Sequence, residues 1–262
     1  YQYTKHGLSV GVVAEDASGK QVDGDYSLSC DAVELIDPSL LARRAAEKAC
    51  RRLSPRKLTT GRYSVLFDAP IARGLIRSLL RAVNGYPVYR KTSFLSSSLG
   101  ELVLPEWLSL HQRPHLRREL YSAPFDDEGV VTRDLDIITS GCLSTYLCDS
   151  YTARRLGHAL TGTAGGTNNV FLVGQSLSFT DLLREMGEGL LVTDVMGQGV
   201  NLVTGDYSRG ASGYWVEKGV IGSPIQTITI AGNLADMFRQ VAAIGDDIDY
   251  SSAIRTGSWL IP

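Results

Sequence analysis

Alternating hydrophobic and polar positions open the chain. Residues 7 to 14, Gly-Leu-Ser-Val-Gly-Val-Val-Ala, and the stretch Tyr26 to Cys30 read as strands on either side of a polar turn from Asp16 to Gly24. The period then changes. Leu40, Leu41, Ala45, Ala46 and Leu53 recur at helical spacing behind Asp37-Pro38, an N-cap and first-turn pair, so a helix is predicted up to Ser54-Pro55. Ser54-Pro55-Arg56-Lys57 reads as a linker and divides the chain into residues 1–57 and 58–262. A short strand, Tyr63 to Phe67, leads to a second helix opened by Pro70, with Ile71, Leu75, Ile76, Leu79, Leu80 and Val83 on one side and Gly85 beyond its end. Residues 86 to 106 read mainly as loop. From Val130 onward, short apolar or alternating runs bounded by Gly, Asn, Asp and Ser predict a curved antiparallel sheet. Three helices interrupt it: Ser150 to Gly157, one that follows the capping-box-like Ser178-Phe-Thr-Asp181 and ends at Gly187, and Leu234 to Ile244 behind an Asn233 cap. No internal repeat is visible, and the predicted class is α+β.

Composition narrows the function classes. The 262 residues are 44% hydrophobic and 21% charged, an ordinary globular balance. A formal net charge of −2 supplies no electrostatic reason to expect a nucleic-acid or anionic-membrane partner. No apolar run approaches the roughly eighteen residues of a membrane span, and the start lacks a basic-then-apolar signal pattern, so a soluble, cytoplasmic protein is expected. Cys30, Cys50, Cys142 and Cys148 are too few and too irregular for a disulfide framework and read as buried or inert thiols. Tyr1, not Met, comes first in what reads as strand-rich sequence, so a piece of a longer protein is expected.

Hydrolytic chemistry needs an activated nucleophile or metal-bound water and a group that moves protons. His111 and His115 have the H-x-x-x-H spacing that sets two imidazoles on one helical face, but Pro114 interrupts a helix there and no Glu neighbours them, which favours a loop or surface role over a metal role. Ser208, in Gly205-Asp-Tyr-Ser-Arg-Gly210, has no histidine within forty residues and no G-x-S-x-G elbow surrounds it. The run Gly162-Thr-Ala-Gly-Gly-Thr-Asn-Asn169 lacks the ending of a phosphate loop and reads as a turn or groove wall. Arg73, Arg77 and Arg81 stack at i,i+4 spacing, as either a solvated face or a docking face. The two glycines around Asp206–Arg209 predict a tight hairpin that presents Asp206, Tyr207 and Arg209 to substrate, with Arg209 able to pair with a carboxylate or simply to hold the turn.

Met196-Gly-Gln-Gly-Val-Asn-Leu-Val-Thr-Gly-Asp-Tyr-Ser-Arg-Gly-Ala-Ser-Gly-Tyr-Trp-Val-Glu217, then Ile228-Thr-Ile-Ala-Gly-Asn-Leu-Ala-Asp-Met-Phe-Arg239 and Ile244-Gly-Asp-Asp-Ile248, resemble the C-terminal signature of PmbA-type (TldE-type) subunits of the PmbA/TldD peptidase family. Upstream, Leu53-Ser-Pro-Arg-Lys-Leu58, Val88-Tyr-Arg-Lys-Thr-Ser-Phe94, Leu104-Pro-Glu-Trp-Leu108 and Pro124-Phe-Asp-Asp-Glu-Gly-Val130 are similar to the same subfamily in the same order, so the resemblance spans essentially the whole chain. It implies a sheet rolled into a partial barrel with peripheral helices over 58–262. Residues 1–57 would then be the end of an α/β N-terminal domain, most of which is not in this sequence. It also implies cytoplasmic proteolysis of peptides and unfolded segments by a family once called candidate modulators of DNA gyrase. In the catalytic TldD-type sister, H-E-x-x-x-H on the second helix and a late Cys hold zinc. The resemblance carries those positions onto Arg77, Ser78, Ala82 and Thr256. A guanidinium has no lone pair for a metal, a serine hydroxyl is a poor base, and alanine has no donor.

The reading that follows is a non-catalytic subunit that binds no cofactor and forms part of a peptide cavity. Zinc is expected in a TldD-type partner, in a heterodimer or alternatively a homodimer, with no nucleic-acid or membrane partner. The alternatives are a self-sufficient peptidase with an unrecognised site and, against the charge, a DNA- or gyrase-binding module.

Overall fold

A computed structural model describes residues 3–262. Strands β1 (His6–Asp16) and β2 (Gly19–Ser29) form an antiparallel hairpin, and α1 (Pro38–Arg51) packs on it. Along β1 exposure alternates strictly, so Leu8, Val10, Val12 and Ala14 share the less exposed face, while Leu41, Ala45 and Ala49 form the buried stripe of α1. Asp37 caps α1, its carboxylate accepting from the amides of Ser39 and Leu40 at 2.9 and 3.1 Å. The turn is shorter than expected. Asp16 already pairs with Gly19, because Lys20 to Asp25 can place polar side chains on the outside of a two-stranded ribbon while their backbone pairs with Val10 to Glu15.

The rest of the chain carries β3 (Val65–Phe67), α2 (Ala69–Ala82), α3 (Gly85–Tyr89), β4 (Ser109–Gln112), β5 (Leu135–Thr139), β6 (Cys142–Leu143) and α4 (Ser150–Leu156). Then come β7 (Val170–Val173), β8 (Ser176–Leu177), α5 (Phe179–Met186), β9 (Gly189–Met196), β10 (Asp206–Glu217) and β11 (Val220–Asn233). The chain closes with α6 (Leu234–Arg239), β12 (Ala243–Gly245), β13 (Ile254–Arg255) and β14 (Trp259–Ile261). The α+β class holds. The strands form two further sheets, one ordered β11-β10-β9-β3-β14-β12-β8 and one ordered β13-β7-β4-β5-β6. Most pairings are antiparallel, but β3/β9, β12/β8 and β13/β7 are parallel, so the sheets are mixed. Both orders are linear, with no closed barrel among the described residues, and they do not by themselves establish a partial one.

Period-two alternation decides which layer each strand residue enters. Phe67, Val192, Trp215 and Trp259 point into the large core, together with Leu75, Ile76 and Leu79 of α2 and Leu110, Ile137 and Val170 of the five-stranded sheet. Their neighbours Leu66, Leu191, Val216 and Leu260 point the other way, onto Leu182, Leu183 and Met186 of α5. Helix α2 ends as expected, with Val83 as its C-cap and Gly85 beyond, whereas α6 ends early. Helix α2 stops at Ala82 because Asn84 caps α3, accepting from the Tyr86 amide at 3.0 Å. Helix α6 stops at Arg239, short of the expected Ile244, because Ala243 and Ile244 pair with Leu260 and Trp259 in the sheet.

Candidate functional site

Helix α2 lies between the two sheets, packed against β9 and against β13, the strand that leads into Thr256. The four positions singled out by the resemblance have different environments. Arg77 is exposed. Ser78 is buried and donates its hydroxyl to the Gly74 carbonyl at 3.0 Å, a bond within the helix. Ala82 is fully enclosed, and its carbonyl accepts from the Ser93 hydroxyl at 2.6 Å. Thr256 is buried; its Oγ1 accepts from the Trp259 indole at 2.7 Å and donates to the Gly257 carbonyl at 3.0 Å. The Ser78 and Thr256 hydroxyls are engaged in holding the fold, Arg77 carries a guanidinium without a lone pair and Ala82 has no donor, so these residues do not fit a zinc ion. Among the described residues, no three His, Cys, Asp or Glu side chains converge as metal ligands do.

Sequence reasoning passed over the polar cluster at the head of α2. Asp68 caps the helix, accepting from the Ala69 amide at 3.1 Å. Burial first, then the neighbouring Asp247 charge, push its carboxyl up to about 6. Asp247 accepts from the Ser258 amide and hydroxyl at 2.9 and 2.6 Å, in a space that a side chain at Gly245 or Gly257 would fill. Arg73 pairs with Asp249 at 2.8 Å and reaches the Tyr26 hydroxyl of β2. Arg73 therefore ties α2 to the hairpin and to the C-terminal segment, whereas Arg77 and Arg81 stay exposed. A capping Asp before Pro70 was readable from sequence. Its companions lie some 180 residues downstream and were not.

The predicted hairpin at Gly205–Gly210 is not a turn. Asp206 to Gly210 is regular strand at the start of β10, paired from Asp206↔Asn233 to Gly210↔Thr229 on β11. The turn precedes it, closed by the Gly205 amide on the Asn201 carbonyl, with Gly205 at φ +82°. Alternation then separates the three candidates. Asp206 is exposed and accepts from the Thr204 hydroxyl at 2.6 Å. Tyr207 is buried in the large core, and that burial raises its phenol. Arg209, half-buried, hydrogen-bonds Tyr207 and has a buried Nε without a partner. The glycine-rich run at 162–169 holds an anion of its own: the Ala164 amide donates to Asp126 Oδ2 at 3.0 Å, while Asp126 Oδ1 accepts from the Glu128 and Val130 amides.

His111 and His115 are on β4 and the loop beyond it, not on a helix. His111 Nδ1 lies 2.7 Å from Asp136 Oδ1 and His115 Nε2 lies 2.9 Å from Thr132 Oγ1. All four cysteines are free; Cys50 is exposed rather than buried, and burial raises the Cys148 thiol. No helix among the described residues is long and apolar enough to cross a membrane.

The model of the PmbA/TldA metallopeptidase C-terminal domain matches residues 60–262, and that of the central domain matches residues 1–53. Over its full length the chain is 47% identical to metalloprotease PmbA of Escherichia coli O157:H7 and 48% identical to the PmbA homolog of Haemophilus influenzae. It covers 58% of the length of each. A Thermotoga maritima crystal structure, described as a candidate modulator of a DNA gyrase, matches with a TM-score of 0.90 at 32% identity over 97% of this chain and 60% of that one. TldE from Thermococcus kodakarensis matches with a TM-score of 0.84 over 98% of this chain and 61% of that one; at 22% identity this is a likeness of fold. The chain belongs to the PmbA/TldA metallopeptidase family.

Proposed function

We propose that this chain is the PmbA/TldE-type subunit of a cytoplasmic TldD/TldE-type metalloprotease that cleaves peptides and unfolded segments. It walls part of the substrate cavity and leaves the zinc chemistry to a TldD-type partner. The observation that carries this reading is the state of α2. Arg77 points to solvent, Ser78 is spent on its own helix, and Ala82 is sealed beneath the Ser93 hydroxyl, so the helix serves as a packing element. Asp206, Tyr207 and Arg209 belong to the cavity edge in this reading, with Tyr207 bracing the Arg209 guanidinium from within the core. The division at 57/58 belongs to it as well, the linker being fastened where Arg56 pairs with Ile225 of β11.

The test is a peptidase assay on this protein alone, with a TldD-type partner, and with a partner whose motif Glu is changed to Ala, alongside elemental analysis. Cleavage is expected only with the intact partner, is abolished by chelator, and is accompanied by no stoichiometric zinc on this chain. One tightly held zinc per chain, or robust chelator-insensitive cleavage by the chain alone, overturns the proposal. A self-sufficient peptidase has one observation in its favour, the His111–Asp136 pair, and in that case His111→Ala would abolish the cleavage seen without a partner.

A further inference from the structure

The five-stranded sheet has an open face. Leu110, Ile137, Val170 and Leu172 on its inner face are buried, whereas Val173 is 51% exposed. Strand register sets Arg255, Phe171, His111 and Asp136 side by side in one row across four strands. The Arg255 guanidinium lies over the Phe171 ring, 5.1 Å from its centroid. Two cavities adjoin this row, of about 320 and 240 Å³, and they share Arg113 and Leu116. The larger adds His115, Thr132, Arg133 and Asp134, and the smaller adds His111, Phe171 and Val173.

We propose that these two cavities form one binding site for a small carboxylate that carries an apolar group, the chemistry of a peptide's C-terminal residue. The smaller cavity has a hydrocarbon wall of Phe171, Val173 and Leu116. The larger holds the cation. Arg113 is already committed, its Nη2 to Asp136 at 3.1 Å and its Nη1 to the Gln112 carbonyl at 2.8 Å, so it builds the wall between the cavities. The Arg133 guanidinium has no hydrogen bond or ion pair among the described residues, which leaves its planar donor fork for a carboxylate. The imidazoles line the cavities but spend their N–H groups on the protein. Thr132 donates its hydroxyl to the Ala123 carbonyl at 2.5 Å, so it accepts from His115 Nε2, and His115 turns its other nitrogen elsewhere. Asp136 accepts from His111 Nδ1, and in that tautomer Nε2 is an acceptor, so the carboxylate is left to Arg133. Arg133 supplies the charge that attracts the anion, because Arg113 is already paired with Asp134 at 3.7 Å and with Asp136 at 3.1 Å. An apolar wall with a few convergent polar groups is the usual composition of a small-molecule site.

This site uses no residue assigned to the proposed subunit role, so the two readings fail separately. The test is calorimetric titration of the full chain with N-acetyl-leucyl-leucine, its C-terminal amide, N-acetyl-glycyl-glycine and a twenty-residue peptide ending in leucine. The leucine acid is expected to bind at least about tenfold more tightly than the amide or the glycine acid. Arg133→Ala and Val173→Asp should each weaken it by a similar factor while thermal unfolding stays unchanged. Equal binding of acid and amide, no saturable binding at millimolar concentration, or an Arg133→Ala variant that binds normally overturns the proposal. Tight binding of the long peptide assigns the site to chain ends, and binding of the short acid alone assigns it to free peptides; either supports it.

Discussion

The middle of the seven-stranded sheet is covered on both faces and the five-stranded sheet on one, and their sequences differ accordingly. Strand β9 begins Gly-Leu-Leu-Val, all buried, because Leu190 and Val192 enter the large core while Leu191 meets α5. Strand β4 reads Ser-Leu-His-Gln, alternately half-buried and buried, and β7 exposes Val173 at its end. A continuous apolar run thus marks a strand between two layers, and an alternating one marks a strand with a surface to spare. The half-open sheet is where the two cavities and the His111–Asp136 pair lie.

Substitutions can break this comparison. The largest effect is expected for Trp259→Ala, which removes an indole that is 1% exposed, packs edge-on against Phe238 and donates to Thr256. A loss of about 3–5 kcal/mol in urea unfolding is expected. Leu110→Ala, on the inner face of the five-stranded sheet, should cost about 2–5 kcal/mol, since its environment is as dry as any in the other sheet. A loss below 1 kcal/mol there would mean that this sheet is loosely packed throughout, and the contrast between its faces would disappear.

A pH series sharpens the picture at the head of α2. Asp68 titrates at about 6 in the folded protein, above its ordinary value of 3.8, so between those values the folded state binds more protons than the unfolded one. Its contribution therefore favours folding at low pH and is lost as pH rises through 6. Asp68→Asn keeps a capping side chain and should stabilise the protein by on the order of 1–3 kcal/mol at pH 7–8, with the gain vanishing near pH 4. Unfolding midpoints across that range, compared with the parent, decide it; a pH-independent difference would mean that burial and the Asp247 charge do not raise Asp68. The smallest effect belongs to the open face. Val173→Ala should change stability by no more than about 0.5 kcal/mol, and a cost like that of Leu110→Ala would show that this face is covered in solution.

Local signals in the sequence translated well. The Asp37, Ser178 and Asn233 caps, Pro70 in the first turn of α2 and Gly157 after α4 stand where their chemistry requires. Non-local pairing was the blind spot. Ala243-Ile-Gly continues a helical pattern until Leu260 and Trp259 pull it into a sheet, and nothing in residues 234–245 announces those partners. Gly205 and Gly210 looked like the two ends of a turn; Gly205 does close one, but Gly210 lies in mid-strand against the Met196 side chain. Pro114 correctly argued against a helix linking His111 to His115, but Asp136 and Thr132, which fix both imidazoles, come from another strand and its approach. The family motif positions could be tested for donor chemistry from sequence alone. Their engagement by Gly74, Ser93 and Trp259 required the fold.

The Ser93 hydroxyl on the Ala82 carbonyl also constrains any attempt to rebuild a metal site by protein engineering. An imidazole at position 82 would have to enter a fully enclosed space, on a residue whose carbonyl is held by the same serine that accepts from the Leu95 amide. A cysteine at 256 would give up the oxygen that receives the Trp259 indole and leave a buried N–H with only a weak sulfur acceptor. Single substitutions at these positions are therefore expected to destabilise the fold. A zinc-binding version of this helix has to be reached by redesigning α2, residues 93–95 and residues 256–259 as one block.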